Sequence, residues 1–483
     1  MSEIAKRHFK DGKRSTLVPL FLPWALQAVA GLLAPTAYAQ AVHEQQQSPS
    51  IPASATQAGP GSVRDPASDP NALSLTMRDA VKLALKQNPG LLAARLEALE
   101  SAQTAKIARA AFLPKATAGL EEQMQRLNLA TLIGQESAPY SVGPYSNVQL
   151  DANFDIPLIA VSAWRTYQSE KLREKASGRN AAAVQESIAG VVVAQYLSLL
   201  RSKATEQAVQ SRIDLATVLL RLANDQLRQG TGTSTDALRA NVELLVEKEN
   251  LVRAEAQTRG YGYGLAQVLG LSEDQQVVPA EILTAADGPV PEGKEVLDEA
   301  FETRPDLQSL SALSQAADYD RQAAEAQRLP EFHFDGFWAQ TGRSPAGVLP
   351  AYAYQVELKV PVFSGGRITA ESARAKLAAK RTKDLVTERR QAITQEVRNA
   401  LSSLEAAHME LELSTEALRL STRELTESRN RFAAGVTTNI EVITAQTSLA
   451  QATDTQIGAM YDLQQAKADL SRARGRIAED YGN

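Results

Sequence analysis

Cysteine is absent from all 483 residues. No disulfide can form, and no thiolate is available for zinc, an iron–sulfur cluster or an N-terminal lipid. Histidine is nearly absent too: His8, His43, His333 and His408 are scattered, so no metal or other cofactor is expected. Aromatics make up 5% of the chain, too few for a bulky globular core, while Ala, Leu, Gln, Glu and Arg are abundant. That balance favours long helices. No Ser/His/Asp set and no carboxylate pair tied to acid–base work can be picked out. Gly230-Thr231-Gly232 lacks the Lys-Ser/Thr pair of a phosphate loop, and Gly260 to Gly264 carries no nucleotide pattern. The chain does not read as an enzyme.

Residues 1–39 read as a secretory signal. Lys6, Arg7, Lys10, Lys13 and Arg14 form a positive n-region, Leu17 to Leu33 is apolar but broken by Pro19 and Pro23, and Ala37-Tyr38-Ala39 is a cleavage site before Gln40. The alternative, an uncleaved anchor, suits a stretch this short and proline-bearing poorly. Removing five bases and two acids takes the formal charge from −5 to −8, which argues against nucleic acid as a partner. Residues 40–73, rich in Gln, Ser, Pro and Ala, read as a disordered leader. Nothing after the signal approaches the ~20 apolar residues of a spanning helix. The mature chain is then either soluble in the periplasm or membrane-spanning as β-strands.

The chain contains itself twice. Pro89, after Asn88, is separated from Pro114 by the same distance along the chain that separates Pro305, after Arg304, from Pro330. Pro157 and Pro361 each end an alternating stretch. The separations from Pro157 to Gly230 and from Pro361 to Gly435 agree to within one position, and those from Gly230 to Gly270 and from Gly435 to Gly475 are identical. The repeats run 74–271 and 296–477, with a connector at 272–295 and a tail at 478–483. Each reads helix, strand, strand, long helix, glycine turn, long helix, with hairpins at about 162–271 and 366–475. Pro114 and Pro157 lie further apart than Pro330 and Pro361, and the extra length of the first repeat is expected in one loop.

The long helices carry heptads. Val397, Leu404, Leu411, Leu418, Leu425 and Phe432 recur at heptad spacing, with Ala400, Ala407, Ser414, Ser421 and Ser428 as the small row. Val442, Leu449, Leu463 and Leu470 continue after the turn. Such a large/small seam packs antiparallel helices as a coiled coil.

Strands are expected at about 114–124, 147–157, 330–340 and 351–361. In the second, Val148, Leu150, Ala152, Phe154 and Ile156 alternate with Asn147, Gln149, Asp151, Asn153 and Asp155. In the fourth, Tyr352, Tyr354, Val356, Leu358 and Val360 oppose Gln355, Glu357 and Lys359. A strand of about 10 residues with this pattern suits a membrane barrel, with Val148, Leu150, Phe154, Tyr354, Val356 and Leu358 toward lipid. Tyr140, Tyr145, Trp164, Trp338, Tyr352 and Tyr354 stand where interfacial girdles form. Four strands cannot close a barrel, and lipid allows no open edge. The barrel must be shared: eight strands in a dimer, twelve in a trimer.

With the duplicated plan, Asn88-Pro89 and Arg304-Pro305, Pro157 and Pro361, and the turns Gly230 to Leu238 and Gly435 to Ile443 in view, the chain resembles the TolC-like outer membrane efflux proteins, or outer membrane factors, over about 74–477. The resemblance implies a mainly α fold with a membrane β-barrel. Three protomers would share twelve strands in the outer membrane, and twelve long helices would continue them as a periplasmic α-barrel. It implies a homotrimer that works with a periplasmic adaptor (membrane fusion protein) and an inner-membrane transporter, as the passive exit duct of a tripartite efflux or type I secretion system. It places Gly230, Thr231, Gly232, Gly435, Val436 and Thr437 at the adaptor-contact turns, and Asp236 and Glu441 at the periplasmic gate. Glu441 stands where members often have Asp, and Thr444 where some carry a further acid. The competing reading of the two carboxylates is simple complementarity to a helix N-terminus. The competing reading of the whole chain is a soluble periplasmic coiled-coil adaptor or scaffold, for which one hairpin and no duplication would be expected.

Overall fold

The computed structural model describes residues 72–128, 141–272, 274–285, 288, 290–344 and 346–482. The signal at 1–39, the leader as far as residue 71 and Tyr140 lie outside the described residues. The first repeat comprises β1 (Ala72–Leu75), α1 (Met77–Gln87), α2 (Pro89–Ala110), β2 (Lys115–Asn128), β3 (Ser141–Ile159), α3 (Val161–Arg228) and α4 (Ser234–Leu269). After β4 (Gln276–Pro279) the second comprises α5 (Gly293–Thr303), α6 (Pro305–Ala326), β5 (Glu331–Gly342), β6 (Leu349–Lys359), α7 (Arg367–Ala433), α8 (Asn439–Arg474) and the short α9 (Ile477–Gly482).

The prolines that marked the repeat explain its helix breaks. Pro89 and Pro305 occupy first helical positions, where a missing N–H costs nothing. Asn88 caps α2 by accepting from the backbone N–H groups of Gly90 (2.9 Å) and Leu91 (3.2 Å), and its Nδ2 donates to the Val268 carbonyl (2.8 Å), tying the break to the end of α4. In the second repeat Arg304 takes this place with charge. Its guanidinium, 9% exposed, donates to both oxygens of Asp306 (3.1 and 2.8 Å), to Glu396 and to the Ala473 carbonyl (3.3 Å). Arg389 closes the network on Asp306. Burial pushes the Asp306 carboxyl up, but Arg304 and Arg389 outweigh it and hold it at about 2. An unfolded aspartate titrates near ~3.9. The stability this carboxylate contributes is therefore complete above about pH 4 and is lost as pH falls toward 2. Arg304→Met should destabilise the fold by about 3 kcal/mol, the low end for a broken buried pair, because Arg389 still faces Asp306. Denaturant unfolding followed by helical circular dichroism measures this; a loss below about 1 kcal/mol would mean the network is decorative.

Strands and helices keep one lateral order along the molecule. The sheet runs β2–β3–β5–β6, antiparallel throughout. Below it the helices pack in the order α2–α3–α6–α7, and below those α4–α3–α8–α7. α3, with 68 residues, and α7, with 67, run through both helical levels, each about 100 Å long. Around their middle sits a belt. There β1 pairs in parallel with β4, and α1, α9 and β4 cover Val192, Val193, Tyr196 and Leu199 of α3; α5 packs on Ile393, Val397 and Leu404 of α7.

Four expectations change. The tail at 478–483 is helical: α9 docks with Ile477 and Ala478 buried, and Glu186 accepts the Ala478 N–H (3.3 Å). A segment this short cannot show a helical period. The connector contains a strand, and through it the first repeat begins at residue 72, so the leader ends before β1. The extra length between Pro114 and Pro157 does not sit in one loop. β2 and β3 are 14 and 19 residues long against 12 and 11 for β5 and β6, so the first hairpin carries its pairing further as well as its loop. Finally, α3 does contain a stretch apolar enough for a spanning helix, with mean hydropathy 1.4, interrupted by Gln185, Glu186 and Gln195. Its Ala189, Val192, Val193, Leu197 and Leu200 are buried under the belt, so this stretch is core.

Candidate functional site

Three features stand apart from the core: one sheet face, the two helical turns and the two lateral flanks.

Register fixes the sheet face. Leu150 lies opposite Leu120 and Gln340, Phe154 opposite Ala116 and Gly336, and Ile156 opposite Phe334. Across the next ladder Phe332 faces Leu358, Phe334 faces Val356, and Trp338 faces Tyr352. Opposed residues share a face, so the alternation read strand by strand adds up to one apolar surface. It is uncovered within the protomer: Leu120, Leu150, Tyr354, Val356 and Leu358 are all exposed, Val356 by 65%. Aromatic rings run across it, Phe334 against Phe154 (5.4 Å between centroids), Phe154 against Tyr354 (5.7 Å) and Tyr354 against Tyr352 (5.7 Å). From Val148 to Leu158 the band covers ten steps of about 3.3 Å; tilted ~40°, it is about 25 Å tall, the height of a barrel's lipid band. At its upper margin, Glu122, opposite Val148, accepts from Ser146 (2.8 Å), and Met124, opposite Ser146, is exposed. Trp164 follows the end of β3, in the first turn of α3, where it packs edge-on against Phe112 (5.4 Å). The opposite face is wet. Asp155 meets His333 (3.1 Å), Gln355 donates to Asp335 (2.8 Å), and Lys359 pairs with Glu357 (3.1 Å).

The turns are two copies of one device. Gly230 (φ +75°) and Gly435 (φ +73°) take the left-handed conformation that closes a helix. The Thr231 N–H returns to the Gln226 carbonyl and the Gly230 N–H to Leu227; Val436 returns to Arg431 and Gly435 to Phe432. Gly232 lies against Gln226, with no room for a side chain. Asp236 sits in the first turn of α4, where Thr233 caps the helix and its hydroxyl donates to the Asp236 carboxylate (2.6 Å). Glu441 sits in the first turn of α8, accepts from the Thr437 hydroxyl, and pairs with Arg431 across the turn (3.3 Å). Both carboxylates thus stand at helix N-termini and brace their own turns. Val436, Leu238 and Ile440 are exposed beside them.

Sequence reading missed what holds the two turns together. Asn439 is fully buried; its Nδ2 donates to the Asp236 carbonyl (3.1 Å). Gln226 donates to the Phe432 carbonyl (3.3 Å). Asn439 stands where the first repeat has Ser234, but the turns also differ at Thr231/Val436, Gly232/Thr437 and Thr235/Ile440, so the sequence does not single it out.

The flanks were missed too. On α4, Leu238, Val242, Leu245 and Val252 are exposed at steps of four, three and seven; on α7, Met409, Leu413 and Leu420 are exposed at four and seven. α2 carries a like row, Leu92, Leu96 and Leu99. These are second coiled-coil seams without a partner among the described residues. They lie on the outer sides of the helical order, as β2 and β6 lie at the two edges of the sheet.

A family model described as "Outer membrane efflux protein" matches residues 80–271 and 296–476, the two repeats. The chain is 25% identical over 405 residues to the pyoverdine export outer membrane protein OpmQ of Pseudomonas putida, covering 82% of this chain and 84% of that one. It is 24% identical over 431 residues to the alkaline protease secretion protein AprF of Pseudomonas aeruginosa, covering 84% of each. Among solved structures, the outer-membrane channel OprN superposes with a TM-score of 0.73 at 18% identity, over 83% of this chain and 89% of that one. The outer membrane protein VceC of Vibrio cholerae gives 0.72 at 16% identity, over 83% and 96%.

Proposed function

The chain belongs to the outer membrane efflux protein family, and from that premise we propose that three copies close side by side into the passive exit duct of a tripartite efflux or type I secretion system. The duct lies in the outer membrane and extends as a helical tunnel into the periplasm. The soluble adaptor or scaffold alternative is set aside, because the family model spans both repeats and the sheet carries an uncovered apolar face.

The observation that carries the trimer is the pair of open flanks. Among the described residues β2 and β6 have one neighbour each, and lipid tolerates no unpaired edge. A head-to-tail contact of one flank with the other leaves no edge once the ring closes. Two copies would give eight strands, an interior that side chains fill; three give twelve and leave a lumen. The seams agree in level. Leu245 stands as far after Gly230 as Leu420 stands before Gly435, and Val252 and Leu413 are likewise equidistant from the same two turns. Since the turns are bonded at one end, Leu245 of one copy meets Leu420 of the next, about 22 Å above the turns.

An adaptor and an inner-membrane transporter complete the path, since the duct has no energy source of its own. The turn residues Gly230, Thr231, Gly232, Gly435, Val436 and Thr437, with exposed Val436, Leu238 and Ile440 beside them, offer the adaptor an apolar tip. Asp236 and Glu441 put six carboxylates per trimer at that mouth. Asp236 also shares its strand of chain with the Asn439 bond, so the gate acids and the link between the hairpins are one unit.

The test uses the absence of native cysteine. A chain carrying Leu245→Cys and Leu420→Cys, oxidised in membranes, should give a ladder of cross-linked species ending at three chains, with either single substitution giving none. A ladder ending at two chains, or running past three, contradicts the trimer.

A further inference from the structure

The two repeats share one strand register as well as one order of elements. The spacing of the prolines carries Pro114 onto Pro330 and Pro157 onto Pro361. Applied to the strands, it carries the pair Lys115–Asp155 onto Glu331–Lys359, Gly119–Asp151 onto Asp335–Gln355 and Leu120–Leu150 onto Gly336–Tyr354, and each of these is a pair of β5 with β6. The same correspondence carries the junction of β3 with β5, inside the chain, onto a junction of β6 with a second copy of β2.

Strand ends point to that junction. β3 last pairs with β2 at Asp155, yet continues through Ile156, Pro157 and Ile159 on β5 alone. β6 last pairs with β5 at Lys359 and stops there. Val360 to Phe363 are the counterparts of Ile156 to Ile159, but among the described residues no strand runs beside them. Val362 is 91% exposed and Phe363 89%. Extended backbone persists where a neighbour takes its hydrogen bonds, so β6 ends early for want of the neighbour that β5 gives β3.

We propose that β6 of one copy pairs antiparallel with β2 of the next in the register that β3 keeps with β5, and runs on through Phe363. This rests on the ring of copies proposed above and fixes its residue pairs. Phe154–Gly336 becomes Leu358 with Leu120 of the next copy, Ile156–Phe334 becomes Val360 with Ala118, and Ile159–Phe332 becomes Phe363 with Ala116. Every apolar side chain stays on the apolar face, whereas a slip of one position would reverse it. A slip of two in one direction would set Leu358 against Glu122. Sizes also match across the junction. The Phe363 ring meets the small Ala116, where Ile159 meets Phe332 inside the chain. Further down, Ser162 of α3 donates to the Ala323 carbonyl of α6 (3.0 Å). The counterparts are Gly366, which has no side chain, and Ile107, 72% exposed on α2. Large again stands against small, as close packing requires.

The test is a cysteine scan in outer membranes with a short bifunctional thiol reagent. Leu358→Cys is combined in turn with Ala116→Cys, Ala118→Cys, Leu120→Cys, Glu122→Cys and Met124→Cys, all on one face of β2. The yield of linked copies should peak at Leu120 and be about threefold lower or less at Ala116 and Met124, each four residues away along the strand. In detergent, Phe363→Ala should separate into single chains at a lower temperature than the unsubstituted protein, and adding Ala116→Phe, which transposes the pair, should restore it. A peak elsewhere on β2, no loss in Phe363→Ala, or no recovery in the transposed protein overturns the register. If Leu358→Cys links nowhere while the Leu245→Cys, Leu420→Cys ladder still forms, the strand pairing is wrong and the ring stands. If neither links, the ring itself fails.

Discussion

Val356→Arg should remove the protein from the outer membrane. Val356 lies in the middle of β6, is exposed by 65%, and faces Phe334 across the ladder on the apolar side of the sheet. An arginine at the middle of a barrel's lipid face costs about 2–4 kcal/mol, or about 6–12 per trimer, comparable with the whole stability of many domains. The adjacent Gln355→Arg projects to the opposite, wet face beside Asp335, where a cation gains a partner. The expected result is loss of folded Val356→Arg from the outer-membrane fraction and normal recovery of Gln355→Arg, assayed by fractionation and heat-modifiable gel mobility. The reverse ranking would mean the sheet is inside out, with the row of Val148, Leu150, Phe154, Tyr354, Val356 and Leu358 toward the lumen.

The second large effect is expected at the turns. Each acid stands in a first helical turn, where a carboxylate also contributes by local bonding. Alanine substitution would therefore confuse loss of a helix start with loss of charge. Asp236→Asn and Glu441→Gln keep the hydrogen-bonding shape. The double substitution removes six charges from a trimer, and a negative mouth concentrates cations. Block of single-channel current by divalent cations should weaken at least tenfold, about 1.4 kcal/mol. Alanine at both positions should in addition raise conductance, because the turns lose the bracing of Thr233, Thr437 and Arg431. Unchanged block in the Asn/Gln protein would leave the two acids as helix-start residues only.

The repeat was legible because its landmarks are backbone events. Proline at a first helical position and glycine in a left-handed helix end admit few substitutes, so Pro89, Pro305, Gly230 and Gly435 mark real breaks in both halves. The strands were legible because a half-wet sheet writes period two into the chain. Contacts between distant residues were not legible. Nothing local in Asn439 shows that its amide will reach Asp236, far away in the first repeat. The seams on α4 and α7 were hidden for another reason: the heptads already had a partner within the chain, and only the exposure of Leu245 and Leu420 reveals a second set. The tail and the connector strand are too short for any period to register.

The central claim is that one chain supplies a third of a closed wall. Light scattering of the protein extracted in detergent from isolated outer membranes, with the detergent contribution subtracted, measures it most directly. The account predicts a particle of three chain masses. A single chain released without detergent would contradict it, because a protomer with both flanks and its apolar sheet face uncovered could not persist in that form.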